Sequence, residues 1–288
     1  MSTPLPRLAI SQITTHQWTL EEDLQQLADL GLPMELWEGK FNENDLERQL
    51  ELVRAAKLKI SSVQPKILTV FPSSSYPDPQ NVDNRVDMFK TSIRRFAPLA
   101  QGMPFVTNTG ALPDGNEQQV WDTCVEKYRE LAVFAEAHGV RIALEALSPS
   151  LMNRNSILYN LGQVREMVKE VSHPAFGICI DFYNNWQQPD IEQEIQRCAG
   201  HIFLVQVSDW RRPRSFHDRL NIGAGSIPAA RLLAACQRAG YTGDYVLEIF
   251  SENVPGALWE QDNILMIRES NAGFRQVIQE WKSGKYNP

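Results

Sequence analysis

Phe-Gly-Ile-Cys-Ile-Asp (residues 176–181) and Ile-Phe-Leu-Val-Gln-Val (202–207) decide the fold class. Both runs are apolar on successive residues. A strand with one face in water would alternate, so these two are covered on both faces, as in a parallel sheet flanked by helices. Similar runs recur at 8–14, 34–37, 59–63, 104–107, 140–145 and 245–249, which makes eight. Amphipathic stretches separate them. Residues 20–30 place Leu20, Leu24, Leu27 and Leu30 on one helical face, and 44–56 do the same with Leu46, Leu50, Val53 and Ala56. A long helix is expected over 120–138, ending at Gly139; another over 229–239 opens after Pro228 and closes at Gly240. A last amphipathic helix is expected over 263–281. Eight such units in 288 residues predict an α/β protein, a single (β/α)8 barrel forming one domain over 1–288. The alternative is a doubly wound open sheet. That fold would carry a glycine-rich phosphate loop after an early strand, and neither GxGxxG nor GxxxxGK[ST] occurs. Gly223-Ala224-Gly225 is too short for one and reads as a turn.

Composition narrows the function. Lys and Arg number 28 against 35 Asp and Glu, a formal charge of −7, which argues against a nucleic-acid partner. The chain is 43% apolar, enough for a core, yet no window of ~18 apolar residues suggests a membrane span. Its start, MSTPLPRLAI, lacks a basic region followed by a long apolar one, so no secretory signal is expected. Cys124, Cys179, Cys198 and Cys236 lack paired spacing and read as buried thiols of a cytoplasmic protein.

In a barrel of this kind the functional groups lie at the C-terminal ends of the strands. The fifth run ends in Glu145, the sixth in Asp181 and the eighth in Glu248; the seventh carries Gln206 and Asp209. Three carboxylates around one mouth would raise one another's pKa unless a cation lies between them. A divalent metal is the simplest such cation, and oxygen ligands suit Mn²⁺, Mg²⁺ or Co²⁺. The competing reading is a set of structural ion pairs to Arg219, Arg211 and Arg154. Further mouth candidates are Trp37, Glu38 and Lys40 after the second run, Gln64 and Lys66 after the third, and Asn108 after the fourth. Trp37 offers an apolar platform for ligand carbons, though a core Trp is as common, and Lys66 offers a positive charge with apolar flanks. His16 follows the first run and His217 lies in the loop of the seventh, both at the expected active face. His138 reads as a helix-capping residue, and His173 and His201 lie before strands at the opposite end. The Ser- and Pro-rich stretch 72–79 reads as a solvated loop, with a lid or substrate loop as the alternative.

LEALSP (144–149), DFYNNW (181–186), VQVSDWRRPRSFHDRLNIGAGSIP (205–228) and GYTGDYVLEIFS (240–251) together resemble the xylose-isomerase-like barrel family. That family includes sugar-phosphate isomerases and epimerases, ketose 3-epimerases and inosose-processing enzymes. The resemblance implies one divalent metal held by Glu145, Asp181, Gln206 and Glu248, with Gln206 at the position where the family has a His. The swap favours Mn²⁺, Mg²⁺ or Co²⁺ over Zn²⁺. It also implies that Arg219 contacts substrate oxygens. Asn184 stands where many relatives have a substrate-contacting His, and Ala146 and Ser148 replace a Pro and a His. The expected activity is isomerisation or epimerisation of a small keto-sugar or polyol-derived ketone through an enediolate, with Glu145 and Glu248 as base and acid. Arg219, His217, Asn184, Lys66, Trp37 and His16 are the expected substrate contacts. A dehydratase of an inosose-like or keto-sugar substrate is the alternative, as is a binding subunit that kept the barrel and lost activity. The phosphodiester-cleaving branch of the superfamily needs many His ligands, and five His with a charge of −7 do not suit it. The expected partner is a small sugar-like molecule, with a homo-oligomer allowed.

Overall fold

Strand pairing in the protein, described by a computed structural model over residues 5–212 and 217–286, follows chain order all the way round. The strands are β1 (Leu8–Ser11), β2 (Met34–Trp37), β3 (Ile60–Gln64), β4 (Pro104–Thr107), β5 (Arg141–Glu145), β6 (Phe176–Asp181), β7 (Ile202–Val207) and β8 (Tyr245–Leu247). All pairs are parallel, and β8 closes onto β1 with Leu8 opposite Tyr245 and Ile10 opposite Leu247. The chain is a (β/α)8 barrel and not an open sheet.

The helices lie outside. They are α1 (Leu20–Leu30), α2 (Leu46–Ala56), α3 (Val82–Phe96), α4 (Glu117–Ala137), α5 (Leu161–Val171), the single turn α6 (Phe182–Asn185), α7 (Ile191–Arg197), α8 (Ala229–Arg238) and α9 (Asn263–Lys282). Local chemistry sets their ends. Thr19 and Glu22 form a capping box at the start of α1, and Gly31, at φ 65°, ends it. Helices α3, α5 and α7 go beyond the sequence expectation. In α3 the buried face is Val86, Phe89, Ile93 and Phe96, at helical spacing. β1 is shorter than the apolar run 8–14, because Ser11 turns the chain. Its hydroxyl accepts from the Ile13 amide (3.3 Å) and its carbonyl from the Thr14 amide (2.9 Å).

Strand alternation sorts the barrel interior into layers. Ala9, Val106, Ala143, Cys179, Leu204 and Val246 pack as a small apolar cluster inside the barrel. Two residues further along the same paths come Ser11, Asn108, Glu145, Asp181, Gln206 and Glu248, all buried. Period two thus puts a polar layer directly over an apolar plug, at the end where the strands finish. The four cysteines are free and buried, as their sequence context suggests.

Candidate active site

A cavity of about 320 Å³ opens at the C-terminal mouth. Glu145 of β5, Gln64 of β3, Asn108 after β4, Asn184 of α6, Glu248 after β8 and Arg219 line its floor. Ile13, Leu68, Leu147, Leu151 and Phe250 supply apolar walls.

Arg219 is aimed by its loop. The chain after β7 folds back so that Leu220 and Asp209 exchange backbone hydrogen bonds (2.9 and 3.0 Å), and the Arg219 amide donates to the Phe250 carbonyl (3.1 Å). The Asp209 carboxylate accepts from the amides of Trp210, Gly223, Gly225 and Ile227, so it organises the turn and does not face the cavity floor. At Gly225 a Cβ would lie 2.5 Å from that carboxylate, which explains the glycine. The Arg219 guanidinium lies over the Tyr183 ring at 4.5 Å and the Phe250 ring at 5.2 Å. It donates to Asp181 and to Glu248, each at 2.9 Å.

Every carboxylate oxygen of the three acids accepts an N–H. Glu145 takes Asn184 (2.9 Å) on Oε1 and Asn108 (3.3 Å) on Oε2. Asp181 takes the Tyr183 amide (2.9 Å) on Oδ1, and Asn184 (2.8 Å) and Arg219 on Oδ2. Glu248 takes Gln64 (2.8 Å) and Gln206 (3.0 Å) on Oε1 and Arg219 on Oε2. The Gln206 amide oxygen faces the Cys179 thiol at 3.4 Å. Below them Glu35, fully buried, accepts from the Ser62 hydroxyl (2.6 Å) and from Gln64 (3.4 Å).

Burial dominates the acidity of this layer. It pushes Glu145 up to about 8, and the Asp181 charge adds to this, while Arg219, Asn108 and Asn184 pull the other way. Burial raises Glu248 well above the carboxylate range against the opposing pull of Arg219, and it raises Glu35 too. Among the described residues, one guanidinium meets three buried acids, with Glu35 a fourth nearby. Some of them hold protons at neutral pH, or a further cation must come.

Of the residues expected from sequence, Glu145, Asp181, Gln206, Glu248, Arg219 and Asn184 meet at this mouth. His217 reaches the rim, where its ring stacks on Phe250 (5.4 Å between centroids) and meets Glu252 at 2.6 Å. Trp37, Lys66 and His16 are not among the cavity's walls. Lys66 is about half exposed and faces Glu43 at 3.4 Å. His16 is exposed and rests against Trp259, 3.9 Å between centroids. Among the described residues, no group of three or more His, Cys, Asp or Glu side chains is arranged to hold a metal ion. The reason is visible in the hydrogen bonds: amide and guanidinium nitrogens bridge the acids. The ion-pair reading thus holds for Arg219, whereas Arg211 donates to the Pro255 carbonyl. Glu35, and Tyr76, which lines the cavity wall, are the residues that sequence reasoning missed. Glu35 sits in mid-strand beside apolar neighbours, and its period-two position was its only signal.

Residues 24–270 match the model of the xylose isomerase-like TIM barrel family, and the chain belongs to that family. It is 30% identical over 159 residues to a 3-dehydroshikimate dehydratase of Pseudomonas putida, covering 51% of this chain and 23% of that protein. It is 24% identical over 168 residues to an inosose isomerase of Halalkalibacterium halodurans, covering 57% of each. The aligned region is thus a quarter to just over half of these relatives' lengths. The IOLI protein, solved with a bound zinc atom, has the same fold: TM-score 0.78 at 18% identity over 96% of this chain and 99% of that one. No helix among the described residues is long and apolar enough to cross a membrane.

Proposed function

We propose that the chain is an enzyme that isomerises or epimerises a small keto-sugar or polyol-derived ketone by moving a proton at the carbon beside the carbonyl. The observation that carries this reading is geometric. Two buried glutamates, Glu145 from β5 and Glu248 after β8, face one cavity with Asp181 and Arg219 bonded between them. Epimerisation needs a base on one side of a carbon and an acid on the other, and two strands with β6 and β7 between them supply such a pair. Burial pushes Glu145 up to about 8, near the acidity that proton exchange at neutral pH requires, and shifts Glu248 in the same direction. Arg219 and Asn184 orient substrate oxygens, and the apolar walls exclude water from the reacting carbon.

A divalent metal fits the chemistry of the donor set. Among the described residues three acids meet one guanidinium, a surplus of negative charge that suits a cation, and Gln206 adds a neutral amide oxygen. Glu145, Asp181, Gln206 and Glu248 would hold it, with Mn²⁺, Mg²⁺ or Co²⁺ preferred to Zn²⁺ because every donor is an oxygen. Bound there, it would act as a Lewis acid toward the ketone oxygen and its neighbour.

A second reading is dehydration. A Glu145 carboxyl that stays protonated to about pH 8 is suited to protonating a departing hydroxyl, and one sequence relative is a dehydratase. One experiment separates the two. The protein, with Mn²⁺ or Zn²⁺ added in turn, is incubated in heavy water with an inosose, 3-dehydroshikimate, D-fructose and D-tagatose. Isomerase chemistry predicts deuterium beside the carbonyl without change in composition, and faster with Mn²⁺. Loss of water, seen as a new conjugated ultraviolet band, selects the dehydratase. No exchange and no product from any of the four sinks both.

A further inference from the structure

The loop after β3, whose sequence reads as a solvated loop with a substrate loop as the alternative, contributes Ser75 and Tyr76 to the cavity wall. Its path is fixed from below, where the Phe71 amide donates to the Thr109 carbonyl (2.8 Å). At Gly110 a Cβ would come within 2.1 Å of the Phe71 carbonyl, so the two loops can touch only because that residue is glycine. The chain then makes a tight turn in which the Ser73 amide donates to the Tyr76 carbonyl (3.1 Å) and the Tyr76 amide to the Ser73 carbonyl (3.2 Å). A second loop, the one after β5, clasps this turn. The Ser74 amide donates to the Arg154 carbonyl (2.9 Å), the Ser74 hydroxyl to the Asn155 amide oxygen (2.5 Å), and the Asn155 amide nitrogen to the Ser75 hydroxyl (2.7 Å).

The clasp carries Tyr76 into the cavity wall, in the same cavity as Glu145 and Glu248. Among the described residues no side chain or backbone group bonds its phenol. The carboxylate oxygens of Glu145 and Glu248 across the cavity already accept N–H groups, whereas this O–H has no acceptor among the described residues. A ligand that fills the cavity expels the water around this hydroxyl, and a phenol so enclosed needs an acceptor. Burial, with Glu248 and Glu145 opposite, pushes Tyr76 up to about 12, so it offers a proton and is not a phenolate at neutral pH.

We propose that Tyr76 is a substrate-contacting residue whose phenol donates a hydrogen bond to an oxygen of the bound ketone, and that Asn155 is a positioning residue holding it there. The inference rests on the ketone chemistry proposed above and adds the contact from the roof. A ketone that lacks an oxygen at that place is discriminated against, because the phenol would be left without a partner.

The test measures kcat and KM for the wild type, Tyr76→Phe, Asn155→Ala and the double variant, with whichever of the four ketones the wild type converts. Loss of one donated hydrogen bond predicts a drop of about fivefold to tenfold in kcat/KM for Tyr76→Phe, at unchanged thermal midpoint. Asn155→Ala should lose a part of this. In the Tyr76→Phe background it should lose nothing more, which a general loosening of the fold would not reproduce. An active wild type whose Tyr76→Phe variant keeps full kcat/KM overturns the contact alone. Additive losses in the double variant overturn the positioning role of Asn155. A wild type inert toward all four ketones overturns the proposed chemistry and this contact with it.

Discussion

Two buried ionic clusters lie at the same end of this barrel, and they are built on opposite principles. In the first, Lys40 meets Asp23 at 2.6 Å and also donates to the Thr15 carbonyl (2.7 Å). Asp23 in turn accepts from Thr15 (2.6 Å) and Gln12 (2.8 Å), and Gln12 accepts from the Trp37 amide (3.0 Å). One cation meets one acid, their bonds are closed within the protein, and neither lines the large cavity. In the second, Arg219 is, among the described residues, the cation that pairs with Asp181 and Glu248, with Glu145 close by, beside 320 Å³ of open space. The first cluster fastens the β1 and β2 ends together. The second is saturated in hydrogen bonds yet, among the described residues, unbalanced in charge. Unbalanced buried charge beside a cavity is a costly arrangement that a purely structural role does not require, and the proposed function draws on it.

The largest effect expected belongs to the unbalanced cluster. Glu145→Gln and Glu248→Gln keep shape but cannot exchange a proton. Each should lower kcat by about a thousandfold, the scale of a lost general acid or base. Metal content must be measured in the same samples, since both residues are proposed ligands. A variant that retains metal and still exchanges substrate hydrogen for deuterium at the wild-type rate breaks the two-glutamate assignment.

The balanced cluster should respond in stability instead. Lys40→Met leaves Asp23 buried without its counter-ion, and removing one partner of a buried pair costs about 3–5 kcal/mol. Chemical denaturation reads this directly. The activity of the fraction that remains folded should stay within about twofold, a small departure suited to a side chain whose bonds lie elsewhere. If Lys40→Met abolishes turnover in fully folded protein, the division between a fastening cluster and a reacting one is wrong.

The contrast between the two clusters explains what could be read in the sequence. Strands such as 176–181 are legible because burial on both faces demands apolar residues in succession. Glu145, Asp181 and Glu248 are legible because each interrupts such a run at its end. The ordinary markers fail elsewhere. Lys40 follows a strand just as Lys66 does, yet one is buried against Asp23 and the other leans outward to Glu43. Nothing local separates them, since the difference depends on which residue of a neighbouring segment lies opposite. Tyr76 sits among Ser and Pro residues that read as solvent-facing, and its place over the cavity depends on Asn155, 79 residues away in the chain. Arg219 was legible as a basic residue after the seventh strand. Its pairing with the mouth acids was legible only as the competing ion-pair reading; which two acids it bridges depends on the loop after β7 folding back onto Phe250.

The smallest expected effect tests the charge imbalance without any substrate. With no cation bound, burial and the Asp181 charge push Glu145 up to about 8 from its ordinary 4.5, and Glu248 and Glu35 are shifted in the same direction. Between those two pH values the folded state holds a proton on Glu145 that the unfolded state has released. Stability therefore falls as pH rises through this window, because raising the pH favours the state that binds fewer protons. Calorimetry from pH 5 to 8 should show the thermal midpoint falling by several degrees, in the order expected for a few kcal/mol in a chain of this size. Glu145→Gln removes the ionisation and should flatten much of the slope. Adding Mn²⁺ should reverse the trend at the alkaline end, since a divalent cation stabilises the carboxylate form that burial opposes. A midpoint indifferent to pH in the metal-free wild type would mean that Arg219 and the surrounding amides already balance the three acids. The two clusters would then be alike in kind.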